Sequence, residues 1–96
     1  MAAYVIGMVQ MRDPSWVAEY GPKVLDLVTK HGGKFIVRGG KMEKLEGSAA
    51  LPSRAVVLEF PSMEQARAWY NDPAYAPLNK LRQTGSDADI MLVDGM

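Results

Sequence analysis

The stretches of this sequence that read as β-strands are apolar on both of their alternating sets, and few folds can accommodate that pattern. Successive side chains of a strand point to opposite faces. In Tyr4 to Met11, YVIGMVQM, one set is Tyr4, Ile6 and Met8 and the other is Val5, Val9 and Met11. Arg54 to Phe60, RAVVLEF, is again apolar on both sets apart from Glu59. A sheet made from such strands needs cover on both faces.

Between the strands lie helix signals. Asp13-Pro14 pairs an N-cap acceptor with proline at the first helical position, and Val17, Tyr20, Val24, Leu27 or Val28 and His31 then recur at three- and four-residue steps. Gly21-Pro22 predicts a break or kink near Tyr20, and Lys30, His31 and Gly32 close the helix. Lys34 to Arg38, KFIVR, is a second strand, followed by a turn or bulge at Gly39-Gly40. Lys41 to Glu46 reads as a weak edge strand and Gly47 to Ser53 as a hairpin loop. After the third strand, Ser62 and Gln65 form a capping box. Met63, Ala66 and Trp69 or Tyr70 make the next inward stripe. Asn71-Asp72-Pro73 stops that helix, and Tyr75, Leu78 and Leu81 mark a further short one whose Pro77 predicts a loose first turn. Asp89 to Asp94 is the fourth strand.

The order strand, helix, strand, strand, helix, strand is that of an α+β, ferredoxin-like βαββαβ domain: a four-stranded antiparallel sheet with its helices on one face. One such domain accounts for residues 1–96. The other face would then expose several hundred Å² of apolar sheet, a sign of a missing partner. Burying about 700 Å² per copy there, half of it apolar, contributes on the order of 10 kcal/mol before association costs. A homodimer is expected.

Eleven basic and eleven acidic residues balance, so the electrostatic footprint of a nucleic-acid or anionic-membrane binder is missing. The chain has no cysteine, which removes disulfides, thiolate metal sites and a cysteine nucleophile and suits a reducing cytoplasm. Met1 to Gln10 lacks a secretory leader, and no stretch approaches the ~20 apolar residues of a membrane span. A cytoplasmic location is the expectation.

Several stretches, AYVIG, KHGGKFIVRGG, LEG and the long VVLEFPSMEQARAWYNDPAYAPLNKLR, closely resemble the family known as domain of unknown function 1330 along almost the full chain. The resemblance implies a dimeric α+β barrel, two ferredoxin-like sheets packed face to face. That superfamily spans isomerases, cofactor-independent monooxygenases, haem-binding proteins and non-catalytic stress-related dimers, so the fold alone selects no chemistry.

The residues themselves offer candidates. Glu59 must project either into the helix-covered core or onto the opposite face. Placing Val56, Leu58 and Phe60 under the helices sends Val57 and Glu59 to the dimer side, and if Phe35 and Val37 also go under, Arg38 joins Glu59 within cross-strand reach. The pair then serves either as a general base with an anion anchor or as an ion pair fixing dimer register. His31 is the only side chain that ordinarily titrates near neutrality, and its place at a helix end suits capping equally well. Trp69, Tyr70 and Tyr75 either wall a pocket between helices and sheet or belong to the core. Glu59 and His31 are thus the candidate catalytic residues, and Arg38, Trp69, Tyr70 and Tyr75 the candidate substrate-binding ones. No metal site and no cofactor is expected. The functions left open are a small cofactor-independent isomerase, cyclase or oxygenase acting on a polar or aromatic metabolite, a small-molecule binding module, and a stress-related dimer without catalysis.

Overall fold

The computed structural model describes residues 2–96, and the expected β-α-β-β-α-β order holds with the second helix in two pieces. Strand β1 (Ala3–Met11) passes through a 3₁₀ turn at Pro14–Trp16 into helix α1 (Val17–Lys30). Strands β2 (Lys34–Arg38) and β3 (Arg54–Phe60) follow, then helices α2 (Met63–Tyr70) and α3 (Tyr75–Gln83) and strand β4 (Ser86–Asp94). The four strands run in the order β2-β3-β1-β4, and every pairing is antiparallel. This is the ferredoxin-like split β-α-β, with the two strands that begin each half at the centre.

The pleat decides what each face carries. Ala3, Val5 and Gly7 of β1 stand opposite Phe60, Leu58 and Val56 of β3 and opposite Asp94, Leu92 and Ile90 of β4. Val5, Leu58 and Phe60 from this set pack with Val24, Leu27 and Val28 of α1, Ala66 and Trp69 of α2, and Tyr75 and Leu78 of α3. Each large side chain so buried contributes roughly 1.5–3 kcal/mol. The alternate set, with Ile6, Met8, Val57, Met91 and Val93, lies on the face without helices, where Met91 is 50% and Met8 41% exposed.

Local signals met different fates. Asp13 caps the 3₁₀ turn by accepting from the Ser15 amide at 3.0 Å, and the Ser62 hydroxyl accepts from the Gln65 amide at 3.2 Å. The expected break near Tyr20 does not occur: α1 runs without interruption through Gly21-Pro22. A residue before proline is pushed out of the helical region by a clash between the ring and its own Cβ, and Gly21 has none. Pro77 likewise falls in the first turn of α3, where its missing N–H would have had no intrahelical acceptor, so the helix is regular from Tyr75. The expected weak edge strand at Lys41 to Glu46 does not form. Gly39 and Gly40, with φ of 76° and 102°, turn the chain off the sheet, and Leu45 is left 95% exposed in a loop that reaches to Ser53. Strand β4 starts at Ser86, three residues before the position expected, because β1 extends far enough to pair with Ser86, Asp87 and Ala88. Among the described residues no helix is long and apolar enough to cross a membrane.

Gly85 sits where α3 hands over to β4, and its carbonyl accepts from the amides of Arg12 and Asp13 at 2.7 and 2.9 Å. A Cβ here would overlap the Asp13 carbonyl oxygen and the Trp16 indole, and the backbone oxygen has no rotamer with which to yield. Gly85→Ala is therefore expected to destabilise the fold by about 2 kcal/mol, read as a lower urea midpoint at unchanged slope. A midpoint equal to the parent's would show that the junction is slack.

Candidate functional site

The helices do not close completely on the sheet. Beneath α1 and α3 lies a cavity of ≈ 100 Å³. Gly7, in the middle of β1, faces it without a side chain, and a Cβ built there would come no nearer than 3.9 Å to any neighbour.

Three arginines from three elements line this space: Arg38 at the end of β2, Arg54 at the start of β3 and Arg82 in α3. Arg38 arrives there by a β-bulge. Phe35 pairs with Leu58 and Val37 with Val57, so Ile36 is the extra residue and the alternation inverts after it. Arg38 consequently stands opposite Val56 on the helix side, its guanidinium 4.7 Å from the centroid of the Phe35 ring. Gly21 of α1 makes room for it: a Cβ at that position would lie 3.2 Å from Nη2 of Arg38. Arg54 similarly lies against Gly39, its Nε 2.9 Å from where a Cβ would be. Arg82 is only 6% exposed; its Nη2 donates to Oδ1 of Asn79, and its buried Nε has no acceptor.

No acidic residue lines the cavity. The ion pairs among the described residues join Arg12 to Asp87, Lys23 to Glu19, Lys30 and His31 to Asp72, and Lys34 to Glu59, leaving Arg38, Arg54 and Arg82 without a carboxylate within 4.0 Å. Tyr20 of α1 and Tyr75 of α3 meet here through their hydroxyls at 2.9 Å. Burial pushes the Tyr20 phenol well above its ordinary range, the neighbouring Tyr75 hydroxyl pushes it further, and the Arg82 guanidinium pulls it back in part. Tyr20 therefore stays protonated at neutral pH. The pair uses one hydroxyl hydrogen between its members and retains one to donate elsewhere. Arg82 and Ile90 also line a groove outside, along the free edge of β4, so Arg82 forms part of the wall between cavity and solvent.

Of the residues singled out from the sequence, Arg38, Trp69 and Tyr75 come together at this cavity, the two aromatic rings 4.7 Å apart. Tyr70 packs on the outside, 43% exposed, and faces the groove along β4. Glu59 lies on the opposite face of the sheet. The expected pair of Glu59 with Arg38 does not form, because the bulge at Ile36 turns Arg38 to the helix side of the sheet, where it stays exposed at the end of β2; Glu59 accepts instead from the Tyr4 hydroxyl at 3.4 Å and pairs with Lys34 at 3.5 Å. His31 is remote from both places. Its Nε2 meets Oδ2 of Asp72 at 2.8 Å and its carbonyl accepts from Gln65, which ties the end of α1 to α2 and to the turn before α3. Tyr20, Arg54 and Arg82 were not among the sequence candidates. For Arg82 a signal exists: Tyr75, Leu78 and Arg82 keep the spacing of an inward stripe, whereas Leu81, expected to end it, is only partly covered. Among the described residues no group of three or more His, Cys, Asp or Glu is placed to hold a metal ion.

Residues 2–96 match the family described as Domain of unknown function (DUF1330), and the chain belongs to it. No curated protein matches the sequence. Among solved structures it is similar to a protein of unknown function from Rhodopseudomonas palustris, with 20% identity and a TM-score of 0.80 over 99% of this chain and 82% of that one. A dimeric ferredoxin-like protein of unknown function from Jannaschia sp. CCS1 shares 9% identity at a TM-score of 0.71, covering 99% of this chain and all of its own. SnoaB, a cofactor-independent oxygenase from Streptomyces nogalater, shares 10% at 0.67, over 99% and 93%. At these identities the likeness is one of fold.

Asp72 collects three hydrogen bonds: from the Ala74 amide at 2.9 Å, from His31 and from Lys30. The Ala74 bond first, then His31 and Lys30, hold its carboxyl down at about 2 against an ordinary 3.8. The folded value lies below the unfolded one, so the ionised carboxylate stabilises the fold fully above pH ~3.8 and loses that contribution as pH falls toward ~2. Asp72→Asn should accordingly flatten the loss of thermal stability between about pH 4 and pH 2. An acid limb as steep as the parent's would assign the limb to other carboxylates.

Proposed function

We propose that the chain acts as a homodimer joined through the open face of its sheet, each copy binding a small molecule in the cavity beneath α1 and α3. The observation that carries the binding reading is the convergence of buried donors without acceptors, Nε of Arg82 foremost, on a space that Gly7 leaves unfilled. Buried polar groups are ordinarily satisfied, and a concave apolar site with a few convergent polar groups is the usual form of a ligand pocket.

The dimer reading is supported by the open face itself, whose Met8, Val37, Met91 and Val93 are each 39–50% exposed, and by the dimeric state of the Jannaschia protein of similar fold. Glu59, with Tyr4 and Lys34, stands on this same face and would set the register of the two sheets. His31 would keep its place as the tie between α1 and Asp72. A cytoplasmic setting suits a chain without cysteines.

The likeness to SnoaB favours a second reading, in which the bound molecule is an electron-rich enolate that reacts without a cofactor. The donors around the cavity would then hold developing negative charge. No carboxylate or imidazole lines the cavity to serve as base, so the binding reading comes first.

Sedimentation at tens of micromolar should give twice the mass of the chain, and Val57→Lys, in the middle of the open face, should give the single mass with the cavity intact; a parent that sediments as one copy at every concentration would overturn the dimer. A thermal-shift screen against metabolites should return ligands that raise the melting midpoint in proportion to the logarithm of their concentration. Hits with turnover under air would select the oxygenase reading.

A further inference from the structure

We infer that the cavity takes a compact organic anion of the short-chain carboxylate or enolate class, with Arg82 as the residue that anchors its charge. The inference rests on the cavity being a ligand site and adds the charge and size of what fills it.

Charge follows from Arg82. A guanidinium cannot shed its proton, and burying it without a carboxylate leaves much of its lost hydration uncompensated. Asn79 supplies one neutral acceptor, and the C-terminal end of α3 offsets part of the remaining cost. The Nε–H still faces no acceptor. A carboxylate or enolate oxygen is the partner for which the planar fork of arginine is shaped. The spare hydroxyl hydrogen of the Tyr20–Tyr75 pair supplies a second donor, and Arg54, half-buried, and Arg38, exposed at the rim, add positive charge along its edge. A neutral ligand would leave Arg82 as it is, and a cation would be repelled.

Size follows from the space. A cavity of about 150 Å³ accepts a benzene ring of six carbons, so ≈ 100 Å³ accommodates on the order of four non-hydrogen atoms. Val5, Val9, Val56, Leu58 and Ile90 line it and call for an apolar body behind the charged end. Because the lining supplies donors and no base, the ligand arrives already ionised.

Acetate and its neutral counterpart acetamide are the probes, followed by calorimetry and by the indole N–H resonances of Trp16 and Trp69. Acetate is expected to bind saturably and at least tenfold more tightly than acetamide. Arg82→Met, which replaces the buried cation with an apolar chain of similar reach, should melt no lower than the parent and lose acetate at least tenfold. If Arg82→Met does not fold, Arg82→Lys keeps the charge without the fork and must weaken acetate while leaving acetamide unchanged. Gly7→Val, projecting into the cavity, should fold and exclude both probes. Acetamide binding as tightly as acetate, or acetate unaffected by loss of the Arg82 fork, overturns the anion while leaving the cavity a ligand site. If neither probe nor xenon enters the parent protein, the ligand site itself falls and the inference with it.

Discussion

The hydrogen bond between the hydroxyls of Tyr20 and Tyr75 joins α1 to α3 above the sheet, and much of the molecule's character depends on it. Below it at one end, Phe60, Val28 and the ring of Tyr75 are fully buried and the core is complete. Toward the other end Gly7 and Gly21 withhold side chains, the helices bridge rather than fill, and a cavity remains. Tyr20, buried there without an acid beside it, stays protonated, and its bond with Tyr75 leaves one hydroxyl hydrogen of the pair to donate. The charged groups that line the cavity are thus all cations.

Irregularities in an otherwise regular sheet bring the cations in. A single extra residue, Ile36, inverts the alternation of β2, and the same strand that sends Lys34 and Val37 to the open face sends Arg38 to the helix side, at the rim of the cavity. A glycine receives each of the two strand arginines, Gly21 for Arg38 and Gly39 for Arg54. A glycine inside a helix costs roughly 1 kcal/mol relative to alanine, and at position 21 that cost also permits Pro22 to remain helical. Structure and site thus draw on the same residue. The open face is different in kind: its carboxylate, Glu59, has Tyr4 and Lys34 as neighbours and belongs to whatever covers the sheet.

Much of the fold was legible because hydrophobic period and cap chemistry are local. The two-sided strands β1 and β3, the stripe Tyr20, Val24, Leu27 and Val28, and the box of Ser62 with Gln65 all stand where the residues place them. Where residue type alone misleads, a neighbour in sequence or space alters its meaning. Pro22 and Pro77 are breakers in general, but one follows a glycine and the other lies in a first turn. Ser86 to Ala88 look like loop residues, yet β1 offers them a partner. The candidate site was legible only in part. Trp69, Tyr75 and Arg38 were identified by type, but the pairing of Arg38 with Glu59 failed because strict alternation cannot foresee a bulge.

From the sequence alone came the class of fold, the two apolar faces of its sheet and the membership of its family, since these rest on periodicity and on long runs of matching residues. The tertiary structure alone decided which face each charge occupies and that Arg38, Arg54 and Arg82 converge without an acid. Their positions, 38, 54 and 82, are far apart in the chain, and their meeting depends on a strand register shifted by one residue and on two missing side chains. A shift of one residue moves a side chain to the other side of a sheet, and register is a property of the paired strands that no single strand records.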